Sequence, residues 1–230
     1  MATDIGSDAQ TPAMGLLERP PAIATLADLL ERLGGIAPER IRFRPAPGTA
    51  TETDVIGVRE HDQRICELID GVLVEKAMGF PESLLALALG GLLRGFVRPR
   101  NLGLVSGADG TMRLFPGLVR IPDVAFASWD RIPGRKMPIV PIPDMVPDLA
   151  VEVLSEGNTA AEMARKRREY FDAGVRLVWM IDPRTRTATV FTGPEQATML
   201  DEAQTLDGGE VLPGFRLPLR ELFAELDLHG

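Results

Sequence analysis

The chain predicts an α/β fold on three observations. Residues 147–183, PDLAVEVLSEGNTAAEMARKRREYFDAGVRLVWMIDP, read as strand, loop, helix and strand: an apolar run gives way to a helical period and then to a second apolar run. RICELIDGVLVE, residues 64–75, holds two apolar runs joined by Asp70-Gly71, a dipeptide that favours a tight hairpin because both central residues tolerate positive φ. PESLLALALGGLLRGF, residues 81–96, is helical in composition, with Pro81 suited to the first turn.

In order along the chain, residues 1–24 are polar and proline-bearing and predict a disordered arm. TLADLLERLGG follows, with Thr25 as cap, Asp28 in the first turn, Gly34 as terminator and Leu26, Leu29, Leu30 and Leu33 as apolar stripe. IRFR, residues 41–44, predicts a short strand, and PAPGTATETD a loop. The leucine-rich helix over 81–96 is expected to be buried on most sides, with Glu82 near its N-terminus. LGLVS, residues 102–106, and TMRLF read as strands around the turn residues 107–110, and VRIPDVAFAS follows. The prolines of residues 132–147 predict a stiff crossing loop. After Pro183, TRTATVF alternates cleanly and forms a hairpin with residues 177–181. The tail LPGFRLPLRELFAEL predicts a last short strand and helix.

Hydrophobic residues make up 45% of the 230 residues, enough for a sizeable core, and aromatics only 5%, so that core is aliphatic. The net charge of −8 argues against coating nucleic acid by bulk positive charge, though not against a local basic groove. One cysteine, Cys66, excludes an intrachain disulfide, and two histidines, His61 and His229, are too few for a zinc cluster. The first residues lack the basic and apolar regions of a signal peptide. The longest apolar stretch, residues 84–93, is shorter than the ~20 residues that span a bilayer. A soluble cytoplasmic protein without a membrane partner is the expectation.

The chemical clue is Glu152, an acid inside the apolar strand LAVEVL, which is costly to bury unless paired or coordinated. On the strand, Asp148, Ala150 and Glu152 share one face; in PDVAFAS, Asp123, Ala125 and Ala127 do the same. Asp148 and Glu152 are ~13 Å apart along one strand, too far for a common ion, whereas a neighbouring strand lies only ~4.8 Å away. Asp123 is therefore the better partner for Glu152, and Asp148 a strand-entry residue. On the next helix, Thr159 and Glu162 fit a capping box. Lys166 lies at the edge of the apolar arc and can reach inward. Arg167 lies within that arc, so its stem is expected buried and its head on a carboxylate or phosphate. Against any site stand two plain readings: Glu152 as a buried ion pair with Arg120 or Lys166, or as an edge-strand acid facing water.

PDVAFAS, PDLAVEVLSEGN and KRREYFDAGVRLVWMIDP in that order, framed by ELIDGVLVE and LPGFRLPLRELF, resemble the Uma-type restriction endonucleases of the PD-(D/E)XK nuclease superfamily, over residues 67–223. The resemblance implies a restriction-endonuclease-like α/β fold, a central mixed β-sheet flanked by helices. Residues 64–230 would form the nuclease-like domain and residues 1–63 an N-terminal extension. It implies a magnesium ion, replaceable by manganese, on Asp123 and Glu152. The family's usual lysine is absent at Leu154, which implies one moved to the helix, Lys166, to polarise the attacking water. Glu82 or Glu67 would complete the acids, with Arg167 on a phosphate. The implied activity is DNA phosphodiester hydrolysis, by a homodimer because both strands need cutting. A non-catalytic DNA-binding or complex-forming module on the same fold is the rival, and an RNA or nucleotide phosphohydrolase a second.

Overall fold

The computed structural model describes residues 23–227. The expected N-terminal arm, save its last two residues, and His229 lie outside them. The elements are α1 (Leu26–Arg32), α2 (Glu52–His61), β1 (Cys66–Ile69), β2 (Val72–Glu75), α3 (Phe80–Val97), β3 (Gly103–Ser106), β4 (Met112–Phe115), β5 (Leu118–Arg120), β6 (Val124–Ser128), β7 (Leu149–Val153), α4 (Ala160–Ala173), β8 (Leu177–Asp182), β9 (Thr187–Phe191), β10 (Ala197–Asp201), β11 (Thr205–Asp207), β12 (Arg216–Pro218) and α5 (Leu219–Phe223).

The central sheet has the order β10-β9-β8-β7-β6-β3. Only β7 and β8 run parallel, because α4 carries the chain back across the sheet between them. The other neighbours are antiparallel, so the sheet is mixed, as the sequence predicts. Alternation along the strands decides the two faces. Val124, Phe126, Val151, Val153, Trp179 and Ile181 pack with α3 and α5. Ala150, Val178 and Met180 pack with Met163 and Tyr170 of α4.

A second sheet, β2-β1-β5-β4, stands beside the first. Its β1–β2 hairpin turns at Asp70 (φ 50°) and Gly71 (φ 73°). Gly71 is required there twice over: a Cβ would also meet the Gly48 backbone at 2.6 Å. VRIPDVAFAS does not form one strand. It breaks at Ile121-Pro122, so β5 joins the small sheet and β6 the central one. Asp123 thus sits where the chain passes from one sheet to the other.

Four expectations need correction. The stretch read as loop before residue 55 already begins α2, which Asp54 starts by accepting from the Thr51 N–H at 2.7 Å. IRFR is not a strand: only Ile41 bridges, to Val74. Helix α3 is buried on one face alone (Leu85, Ala86, Leu89, Leu93 and Val97), while Leu87 is 74% exposed. Over its full 18 residues α3 is long and apolar enough to cross a membrane by length and composition; its inner face is part of the protein core. The fourth concerns the predicted box at α4, which is half made. Thr159 caps the Glu162 N–H at 3.0 Å, but the Glu162 carboxylate turns to Arg40 at 2.9 Å. Residues near the N-terminus are therefore fastened to α4. At Gly34 a Cβ would lie 2.6 Å from the Glu162 nitrogen, so only glycine allows that approach.

Candidate active site

Strands β6 and β7 are each entered through Pro-Asp, and the two aspartates do matching structural work. Asp148 donates its N–H to Phe126 O (2.8 Å) and accepts from Ser128 N (2.8 Å). Asp123 donates to Val151 O (2.9 Å), and its Oδ2 accepts from Val153 N (2.6 Å). Each carboxylate secures the far end of the neighbouring strand. Their other oxygens differ. Asp148 Oδ1 meets Arg131 at 3.1 Å and Arg176 at 3.7 Å, which makes it the strand-entry residue expected. Asp123 Oδ1 meets Lys76 Nζ at 2.8 Å.

Burial raises the Asp148 carboxyl, but Ser128 and Arg131 outweigh it and hold the group below the usual aspartate range. A depressed carboxyl contributes stability that is present above its unfolded value, ~3.9, and is lost as pH falls through the folded value. Asp148→Asn is expected to cost about 1.5–3 kcal/mol at neutral pH and to flatten the stability loss below about pH 4. Urea unfolding from pH 3 to 7 measures both; an unchanged acid limb would refute the assignment.

The register Val124↔Val151, continued by one residue, brings Asp123 across from Glu152. Glu152 is 4% exposed. Its Oε1 accepts from the Tyr170 hydroxyl at 2.5 Å and its Oε2 from Lys166 Nζ at 2.9 Å. Lys166 reaches inward from α4, as its place on the helix predicts, and also meets Glu67 Oε1 at 3.1 Å. Glu67 accepts from Ile121 N at 2.9 Å and from Arg120 Nη1 at 2.7 Å. Arg120 then reaches Glu169, which pairs with Arg165 at 2.7 Å.

The network shifts Glu67 and Glu152 in opposite directions. Burial raises Glu67, yet Lys166, Arg120 and the Ile121 N–H prevail and hold it well below the usual range. Glu152 is raised, first by burial and then by the charges of Asp123 and Glu67, which Lys166 and Lys76 do not fully offset. Burial lowers Lys166, but Glu152 and Glu67 overcome this and keep it protonated. Glu67 is thus a fixed anion and Glu152 the acid whose charge is poorly compensated, a separation typical of paired carboxyls with different tasks.

A cavity of about 380 Å³ opens beside the cluster, lined by Ser83, Ala86, Gly90 and Arg94 of α3, by the Gly107–Ala108 turn, and by Asp123. Asp123 is the acid that reaches this space; Glu152 and Lys166 lie behind it. Glu67 belongs to the cluster. Glu82 does not pair with it, and its carboxylate rests against Gly79, where a Cβ would lie 2.3 Å from Oε2. Arg167 lies over the Phe191 ring at 4.7 Å and reaches Glu195 at 3.2 Å, away from the cavity. Glu195 supplies the carboxylate partner expected for its head. Two cations at this site carry no sequence signal: Lys76, one residue beyond a strand end, and Arg94, on the outer part of α3.

Among the described residues no three His, Cys, Asp or Glu side chains form a ready metal cluster. Two carboxylates suffice for magnesium, which takes oxygen ligands, keeps several waters and is commonly held by one or two acids plus phosphate. Asp123 and Glu152 supply such oxygens, and the Lys76 ammonium stands in beside Asp123 as a cation among oxygens. The donor chemistry fits.

The family model for Uma2, described as "Putative restriction endonuclease", matches residues 52–220. A crystal structure of an Anabaena variabilis protein, described as "a putative nuclease belonging to DUF820", shares the fold with a TM-score of 0.64 at 20% identity, covering 71% of this chain and 92% of that one. No curated protein matches the chain.

Proposed function

The chain belongs to the Uma2 family, and from that premise we propose that it is a divalent-metal-dependent endonuclease that hydrolyses DNA phosphodiester bonds, magnesium serving and manganese substituting. One observation carries the reading: Lys166 bridges Glu152 and Glu67 inside a buried cluster whose Asp123 opens onto a cleft. Asp123 and Glu152 would hold the ion. When bound, it would offset charge on the phosphate and lower the pKa of a coordinated water. Lys166 orients the attacking water and stabilises developing negative charge from a dry position where electrostatics are strong. Glu67, anchored by Arg120 and the Ile121 N–H, fixes Lys166. Arg94 at the cleft offers a cation to a DNA phosphate. Two such sites in a homodimer would cut both strands.

A second reading has its own observation. Both carboxylate oxygens of Asp123, Glu152 and Glu67 already have partners, as in a finished structural network, and the chain is acidic overall. A non-catalytic DNA-binding or complex-forming module would look so. Incubation with supercoiled plasmid, labelled RNA and free nucleotides, with magnesium, manganese or EDTA, separates these readings. Metal-dependent nicking of DNA supports the nuclease; DNA binding without cleavage under any ion supports the module; cleavage confined to RNA or nucleotides supports the phosphohydrolase. Lys166→Met is expected to lower the cleavage rate ~10²-fold or more while changing manganese affinity far less. Unchanged turnover would remove Lys166 from the chemistry.

A further inference from the structure

Lys76 holds a position that the nuclease reading leaves unused. Its side chain is 9% exposed, and its ammonium is surrounded by oxygen: Asp123 Oδ1 at 2.8 Å, Ile121 O at 2.6 Å and Ala108 O at 3.2 Å. Asp123 and Ala108 both line the cleft. A carboxylate and two carbonyls converging beside open space are the donors a hard divalent cation takes. Here a side-chain cation has them.

The charge balance points the same way. The carboxylates of Glu67, Asp123 and Glu152 face the cations of Arg120, Lys76 and Lys166. Each of the three acids already has a cation against it, so a divalent ion gains most where one cation can withdraw. Arg120 is held by Glu67 and Glu169, and Lys166 by two glutamates. Lys76 contacts a single carboxylate, stands nearest the cleft and carries a flexible stem.

We propose that Lys76 is a built-in counter-ion: it holds Asp123 in the metal-free site, competes with the divalent ion for Oδ1, and so sets the site's metal affinity. This rests on the reading of Asp123 as a metal ligand. It makes Lys76 a positioning residue that acts through Asp123.

Calorimetric titration with manganese tests it on the full chain. Lys76→Met and Lys76→Gln, the second of which still donates hydrogen bonds to the carbonyls, are expected to bind manganese about tenfold or more tightly than the natural protein. Lys76→Arg keeps the charge and is expected to bind as the natural protein does. The manganese-dependent rise in Tm should be larger in Lys76→Gln for the same reason. Unchanged or weaker binding by folded Lys76→Gln, with binding still lost in Asp123→Asn, would overturn the counter-ion role and leave the metal reading standing. No binding by the natural protein or Lys76→Gln would overturn both.

Discussion

Replacing Glu152 with Gln is expected to lower DNA cleavage about a thousandfold while leaving the fold intact and Tm unchanged or higher. The two halves have one cause. Glu152 is raised by burial and by neighbouring carboxylates, so above the ordinary glutamate range its ionised form is penalised by folding. For a carboxyl raised in this way, the penalty grows as pH rises from the unfolded value toward the folded one. Glutamine has the same shape, still accepts from Lys166, and removes that cost. Glu67 remains to neutralise Lys166. A buried acid shifted by its surroundings at a cleft is a candidate functional group. Plasmid cleavage and a thermal melt on one preparation measure both. Full activity would remove Glu152 from the site, and a large fall in Tm would make it a structural ion-pair partner.

Arg120→Met is expected to do the opposite and act through the fold. The Arg120 side chain is 2% exposed and serves both Glu67 and Glu169. Burial disfavours its charge, but those two acids reverse the balance and raise its pKa. Its removal takes a cation out of a buried network and leaves Glu67 to Lys166 and Glu169 to Arg165, at a cost of about 3–5 kcal/mol, which for a chain of this size lowers Tm by roughly 10 °C. Arg120→Lys keeps the charge but not the planar fork and should fall between. Urea unfolding gives the numbers. A loss under about 1 kcal/mol for Arg120→Met would mean that Glu67 is anchored by other groups.

The parts of the site that the sequence made legible lie on regular elements. The two Pro-Asp strands, the acid inside LAVEVL and the inward lysine on α4 follow from periods of two and 3.6 residues, and the α4–β8 unit fixes their relation. Glu67 could be named only beside Glu82, because nothing in ELID says which sheet its strand joins. Its place follows from the β1–β5 pairing, Leu68↔Val119, which sets Glu67 near Arg120 and Ile121. Lys76 and Arg94 had no signal: one follows a strand end, the other looks like a solvated helix residue, and both matter only through what the fold lays beside them. The helix α2 was missed because only Val55 is buried along it, so no apolar stripe marks it; its Thr51-x-x-Asp54 start was the available cue. IRFR alternates like a strand but has a partner at Ile41 alone. The leucines of α3 predict burial on most sides, yet composition cannot say how much of a helix the sheet covers.

In the proposed nuclease, Asp123 and Glu152 hold one divalent ion at the inner end of the α3 cleft. Anomalous diffraction from crystals soaked in manganese tests it most directly. A single strong peak is expected within coordination distance of both carboxylates, with the Lys76 ammonium withdrawn from Asp123 Oδ1. No peak there, with Lys76 and Lys166 still paired to the acids at saturating manganese, would contradict it.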